Sequence, residues 1–342
     1  MTNHGLGIVG TGIIAATHAQ AIQALPNARL IAVTDVQPDP LAAFAKQHDC
    51  AAEPDLAALL ARDDVDVICV CVPSGLHADI GIQAAEAGKH LVVEKPIEVT
   101  LAAADRLIAA AAAANVKLTV ISQHRFDPGL IELRRLLDDG ALGDLVLGEA
   151  RTKWYRTQAY YDTAAWRGTR ALDGGALLNQ GVHYVDLLRW CMGPVTEVTS
   201  VCATSTHDME AEDTALVLLR FANGAVGTIV ASTSVYPGFP QQLEITGSNG
   251  TVIIEDGAIA ASRLLTGDGT TPDHRRASDA SGGTADPALT GVASHAAQLA
   301  DLLAAIDQDR DPLVTAASAR DALEIVTAAY ESARDRRPVT LR

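Results

Sequence analysis

From residue 5 to residue 121 the sequence alternates short apolar runs with longer stretches whose apolar positions recur every three to four residues. The apolar runs lie at about 5–10, 29–35, 65–72, 90–94 and 117–121, and their length predicts strands. The periodic stretches lie at about 12–25, 38–48, 54–62, 76–88 and 100–115, and predict amphipathic helices. Strands that are apolar throughout and alternate with helices imply a parallel sheet covered on both faces. Residues 1–122 are therefore expected to form an α/β domain. Ligands of such sheets bind beyond the carboxyl ends of the strands.

The pattern changes after residue 122. A short helix at about 129–139 is stopped by Gly140. From about 145 to 260 the chain is mostly strand-like, interrupted by one helix at about 174–192. The runs 196–204, 214–221, 225–232, 242–246 and 251–255 are rich in β-branched residues, and Asn223-Gly224 and Asn249-Gly250 are hairpin turn signals. Residues 266–290 are polar and rich in Gly and Asp, which predicts a mobile loop. Amphipathic helices follow at about 292–308 and 315–335. Residues 123–342 are thus expected to form an α+β domain with a mostly antiparallel, open-faced sheet. No internal repeat is visible.

The first turn carries the clearest chemistry. Leu6-Gly7-Ile8-Val9 runs into Gly10-Thr11-Gly12-Ile13-Ile14-Ala15 and then into an Ala-rich helix. Strand, tight Gly turn and helix in that order suit a dinucleotide pyrophosphate, as in Rossmann domains. Gly10 permits the turn, Gly12 lets the backbone approach the phosphates, and Ala15 allows close packing of helix on strand. The N–H groups at the helix start, with Ile13 and Ile14, face the negative charge. Asp35 ends the second strand, about 20 residues beyond Ala15, where a carboxylate accepts from the adenosine ribose hydroxyls. It would repel a 2′-phosphate, and no Arg or Lys follows before Lys46. NAD is the expected cofactor.

Composition narrows the classes. The chain of 342 residues is too long for one ordinary domain, and 48% apolar residues suffice for two cores. A net charge of −16 argues against nucleic acid and anionic membranes as partners. Cys50, Cys69, Cys71, Cys191 and Cys202 have no metal-ligand spacing, and no signal peptide precedes the first strand. The expectation is a protein of the reducing cytoplasm, with no metal and no membrane span.

Several motifs, in order, resemble one family. They are Gly10-x-Gly12-x-x-Ala15, Asp35, Pro73-x-x-x-His77, Ala87-Gly88-Lys89-His90, Glu94-Lys95-Pro96 and Gly174-Gly175-x-x-x-Asn179-x-x-x-His183. Together they resemble the glucose–fructose oxidoreductase/inositol dehydrogenase (Gfo/Idh/MocA) family over nearly the whole chain. Trp166-Arg167-Gly168-Thr169 and the stretch Asp173–His183 are similar to the branch holding UDP-N-acetylglucosaminuronate 3-dehydrogenases. The resemblance implies oxidation of one sugar or cyclitol hydroxyl, and dimers or tetramers formed through the second-domain sheet.

Oxidising a secondary alcohol requires a hydride acceptor and a base that titrates near neutral pH. Asn179 and His183, four apart on an expected helix, share a face, and His183 is the candidate base. A satisfied half-buried histidine is the alternative. Lys95, at a strand end, can stabilise the developing alkoxide, with Glu94 orienting it or the cofactor and Pro96 following a cis bond. The family often carries Asp where Asn179 stands. An amide takes no proton, so Asn179 is left to orient substrate or His183. Val72, Pro73, His77, Gln123 and Arg167 are expected to line the cofactor. Substrate candidates are Arg125, Trp154, Arg156, Tyr161, Trp166 and Tyr236, in a chain with only 4% aromatics. Tyr161 and Trp166 fit the domain core equally well. Arg156 and Arg167 could hold a substrate carboxylate or could pair Asp162 or Asp173. The leading expectation is an NAD-dependent sugar dehydrogenase acting at C3. A redox-assisted glycoside hydrolase, a cyclitol dehydrogenase and an NAD-binding regulatory protein are the alternatives.

Overall fold

The computed structural model describes residues 2–265 and 292–341. It divides into two compact units, Met1–Gln123 with Asp286–Arg320, and His124–Ala285 with Asp321–Arg342.

The first unit holds six parallel strands: β1 (His4–Val9), β2 (Ala28–Thr34), β3 (Ala51–Ala52), β4 (Val67–Val70), β5 (His90–Val93) and β6 (Leu118–Val120). Their order is β3-β2-β1-β4-β5-β6. The order reverses between β1 and β4, so a crevice opens at the carboxyl ends of those two strands. Both strands are buried along their whole length, as expected for a sheet covered on both faces. The two-residue β3 is too short to give a pattern in sequence.

Helices α1 (Ile13–Gln23), α2 (Pro38–His48), α3 (Leu56–Leu60), α4 (His77–Glu86) and α5 (Leu101–Ala113) lie between the strands. Local chemistry sets several boundaries. Pro38 opens α2 where its missing N–H costs nothing, and Asp49 closes it in the left-handed conformation. Asp55 caps α3 by accepting from the Ala58 N–H, and Thr100 caps α5 by accepting from Ala103; such caps contribute about 1 kcal/mol each.

One late helix, Val292–Asp307, also belongs to this unit. The expected boundary had assigned all of 123–342 to the second domain. The helix buries Leu299, Leu302 and Leu303 in the same core as Ala15, Ala19 and Ile22 of α1. An amphipathic pattern announces that a face is buried without naming its partner.

The second unit is built on β7 (Leu145–Lys153), β8 (Val195–Ala203), β9 (Thr214–Phe221), β10 (Val226–Ser232), β11 (Gln242–Gly247), β12 (Gly250–Glu255), β13 (Ala258–Leu264) and β14 (Val339–Thr340). The sheet order is β13-β12-β11-β7-β10-β9-β8-β14. Only β7 and β10 pair in parallel; the other neighbours are antiparallel. Helices α6 (Pro128–Asp138), α7 (Gln158–Tyr161) and α8 (Val182–Met192) belong to this unit, and α8 packs on β7 and β11. Along β9 the residues alternate, with Ala215, Val217, Leu219 and Phe221 buried and Leu216 and Leu218 exposed. One face of the sheet is therefore a core and the other presents apolar side chains, including Val201 of β8.

The helix expected at 174–192 is two pieces. Ala176–Gly181 is a π-helix, and only from Val182 does the chain turn as an α-helix. Widened turns of this kind are rare and concentrate at functional sites. The loop expected at 266–290 lies outside the described residues. No described helix is long and apolar enough to cross a membrane.

Candidate active site

In the first unit the expected cofactor residues gather at the carboxyl ends of β1, β2, β4, β5 and β6. Gly10 has φ +91°, and a Cβ there would lie 2.5 Å from the Cys71 carbonyl oxygen, so only glycine fits. Gly12 is different. A Cβ there would meet no protein atom within 4 Å, so packing does not require glycine, whereas close approach of a ligand does. No side chain caps α1 and no acidic residue occupies its first turn, which leaves its positive end available to a pyrophosphate. Ile13 is exposed beside it. Asp35 binds this loop from the next strand. One carboxylate oxygen accepts from the Thr11 N–H and Oγ1 at 2.7 and 2.9 Å, and the other accepts from the Gln37 N–H.

The turn after β5 is held from beneath. Glu94 is buried, with Oε1 2.7 Å from His18 Nε2 of α1 and Oε2 accepting from the Lys95 N–H at 3.1 Å. Burial opposes the charge on Glu94, yet the hydrogen bond and charge of His18 hold its carboxyl well below the usual range. The following Lys95–Pro96 bond is cis. The Pro96 carbonyl lies 2.8 Å from His77 Nδ1, and the Val72 carbonyl lies 3.0 Å from His77 Nε2. Burial lowers the His77 pKa, so a neutral ring donates to one carbonyl at a time. His77 is fully buried, which corrects its expected place along the cofactor: it joins two strand ends instead. Lys95 itself is half-buried, its backbone fixed on both sides by buried groups. Gln123, after β6, is buried.

His18, Glu94 and His295 also bring three potential metal-ligand atoms within 4.8 Å of one another. The His18–Glu94 hydrogen bond already engages one atom of each of those two residues.

In the second unit Asn179 lies in the π-helix and His183 in the first turn of α8, both half-buried. Their four-residue spacing crosses the junction between the two helix types. The Asn179 side-chain amide donates to the buried Asp173, whose other oxygen accepts from the Gly168 N–H at 2.7 Å. The His183 ring meets the edge of His124 at 5.1 Å, and His124 Nδ1 lies 2.7 Å from Asp127. One imidazole and, behind it, one carboxylate thus stand beside the candidate base.

The aromatic-rich stretch forms a stack. Arg156 lies over Trp154 and Tyr160, and Arg167 lies over Tyr160 and Trp166, at 4.4 to 5.3 Å from the ring centroids. Arg167 also donates to Thr163 Oγ1 and to the Tyr160 hydroxyl, not to Asp162 or Asp173. Arg156 is buried.

Two expected substrate residues, Arg125 and Tyr161, are placed otherwise. Arg125 is buried in a two-pronged ion pair with Asp186 of α8 and stacks on Trp190, so its charge is committed to structure. Tyr161 is core: it is buried, its hydroxyl bonds Thr233 at 2.8 Å, and its ring packs on His207. Tyr236 is 77% exposed and touches Tyr155 edge to face.

His18, His124, Asp127 and Glu212 were not picked out by sequence reasoning. His18 had left a signal: it is a polar residue on the same helix face as Ala15, Ala19 and Ile22, where burial demands a partner.

Residues 5–122 match the family model "Oxidoreductase family, NAD-binding Rossmann fold", and residues 130–253 match "GFO/IDH/MocA C-terminal domain". The chain belongs to the Gfo/Idh/MocA family. It is an NAD-binding oxidoreductase of that family. Inositol 2-dehydrogenase of Rhizobium meliloti is 30% identical over 78% of this chain and 79% of the relative. The 2,7-anhydro-N-acetylneuraminate hydratase of Mediterraneibacter gnavus is 28% identical over 75% of this chain and 68% of its own. The WlbA dehydrogenase from Bordetella pertussis, solved with NADH and UDP-GlcNAcA, superposes with a TM-score of 0.88 at 31% identity, covering 100% of this chain and 98% of the other.

The position of Asp35 makes a prediction about cofactor choice. NAD is expected to bind more tightly than NADP, and Asp35→Ala to narrow that gap. Because Asp35 also braces Thr11, the variant should bind NAD roughly 10-fold more weakly, the effect of losing hydrogen bonds to a charged group. Calorimetric titration in which the unaltered protein binds NADP as well as NAD would contradict this role.

Proposed function

We propose that the protein oxidises a secondary hydroxyl, at C3, of a sugar or sugar derivative. Bound NAD supplies the hydride acceptor. Lys95 donates a hydrogen bond to the substrate oxygen and stabilises the alkoxide as it forms. His183, as neutral imidazole, accepts the hydroxyl proton. Asn179, turned by Asp173, orients the reacting hydroxyl, since its amide can exchange no proton.

The observation that carries this reading is the mounting of Lys95. A cation stands at the end of an interior strand, with its backbone bonded to a buried ionised carboxylate and its neighbouring carbonyl beside a buried histidine. A surface lysine needs no such support, whereas a group that must meet a developing charge does. The named substrates of relatives, inositol and a UDP-linked uronate, favour a polyol or sugar ring. A panel of sugars, cyclitols, glycosides and nucleotide-linked uronates, mixed with NAD and read by NADH absorbance, tests the reading. Binding of NAD without reduction by any member of the panel would contradict it.

The hydratase among the relatives supports a second reading. There, oxidation at C3 would make the neighbouring C–H acidic, that proton and the leaving group would depart, water would add to the double bond formed, and return of the hydride to C3 would leave NAD unchanged. Release of product without net NADH would distinguish this course from simple dehydrogenation.

A further inference from the structure

Glu212 is a buried acid on the loop before β9, outside the residues given roles above. One of its carboxylate oxygens accepts from the Leu177 N–H at 2.9 Å and from the Tyr330 hydroxyl of the C-terminal helix Ala316–Asp335 at 3.0 Å. Its backbone carbonyl accepts from the Ala176 N–H at 2.8 Å. One residue therefore satisfies two of the N–H groups at the start of the π-helix, groups that no intrahelical acceptor can reach. Its other carboxylate oxygen would lie 2.1 Å from a Cβ at Gly175, so the glycine before this helix is the space the carboxylate fills. Two residues past Leu177 stands Asn179.

We propose that Glu212 is the positioning residue for Asn179: it fixes the first turn of the π-helix, and through that turn the direction of the Asn179 amide. That Asn179 serves the reaction rests on the dehydrogenase reading above; that Glu212 sets its position does not.

The charge of Glu212 decides how firmly the turn is held. An ionised acceptor bonds an N–H about twice as strongly as a neutral one. Burial pushes the Glu212 carboxyl up to about 7. The groups around it are Tyr330 from the C-terminal helix, Cys202 from β8 and Arg170 from the loop before Asp173. Neighbouring Asp213 is turned away to the Ser205 and Thr206 N–H groups and to His207. Glu212 is thus the acid in this group that changes charge near neutral pH, and the Leu177 bond weakens as pH falls through that range.

The test is a pH titration of the whole protein by NMR, without substrate, following the Leu177 backbone N–H and the Asn179 side-chain NH₂. Both signals are expected to move together with a midpoint near 7, and both movements to vanish in Glu212→Gln, whose amide still accepts but does not titrate. If Leu177 titrates while Asn179 stays still, or if Asn179 titrates unchanged in Glu212→Gln, the proposal is overturned. Should Glu212→Gln fail to fold, Tyr330→Phe serves. Its lost hydroxyl favoured the ionised carboxylate, so the midpoint must move to higher pH. An unmoved midpoint refutes the role. The readout needs no turnover, so it stands apart from whether any sugar is oxidised.

Discussion

Replacing Lys95 with alanine is expected to lower kcat by at least about 10²-fold while NAD binding stays nearly intact. The size follows from the role proposed for the side chain: removing one preorganised donor to a developing oxyanion costs about 10²–10³ in rate. The split between kcat and binding follows from where the rest of the residue is held. The Lys95 N–H donates to Glu94, Glu94 is held by His18, and the Pro96 carbonyl lies against His77. None of those contacts involves the Lys95 ammonium, so the variant keeps the turn. Steady-state kinetics with calorimetric NAD binding on the same preparation checks both halves. Near-normal turnover by Lys95→Ala would remove the lysine from the chemistry.

The second large effect concerns the base. His183→Asn is expected to abolish most activity and, with it, the acid limb of kcat/KM. With a neutral imidazole as the proposed proton acceptor, the rate should fall as pH drops through the ordinary histidine value of about 6.5. Asn179→Asp is the informative companion. It sets a second carboxylate against Asp173, which already accepts from Asn179, so the two acids share one proton. With that proton on Asp173 the charge moves to position 179, in the turn before His183, and there stabilises the imidazolium. The sign is therefore upward: the limb moves to higher pH and activity persists on the alkaline side. A pH–rate profile identical in the unaltered protein and in His183→Asn would show that the proton goes elsewhere.

The two halves of the molecule differed in how much the sequence disclosed. The first unit was nearly all legible, because its strands are buried on both faces and its turns carry Gly10, Gly12, Asp35 and Lys95 at strand ends. Chemistry and architecture coincide there. The second unit was legible as alternating strands, down to the Asn223-Gly224 turn between β9 and β10. Its site was less so. The π-helix left no signal, because its apolar positions suit an α-helix equally well. Arg125 and Tyr161 have the chemistry of substrate ligands, and only tertiary contacts with Asp186 and Thr233 show them to be spent on packing. Glu212 and His18 went unnoticed because a buried polar residue is found by its partners, which lie 35 and 76 residues away.

In the proposed reaction hydrogen moves from C3 of a sugar ring to NAD. The most direct measurement uses a sugar that the panel identifies, carrying deuterium at C3. Deuterium is expected in the reduced nicotinamide, with a slower first turnover than with the unlabelled sugar, and its transfer is expected to slow by at least about 10²-fold in Lys95→Ala. This holds whether the cofactor is released reduced or restored in place, since a single-turnover quench catches the label either way. A sugar that is consumed while its C3 deuterium never reaches the nicotinamide would contradict the account.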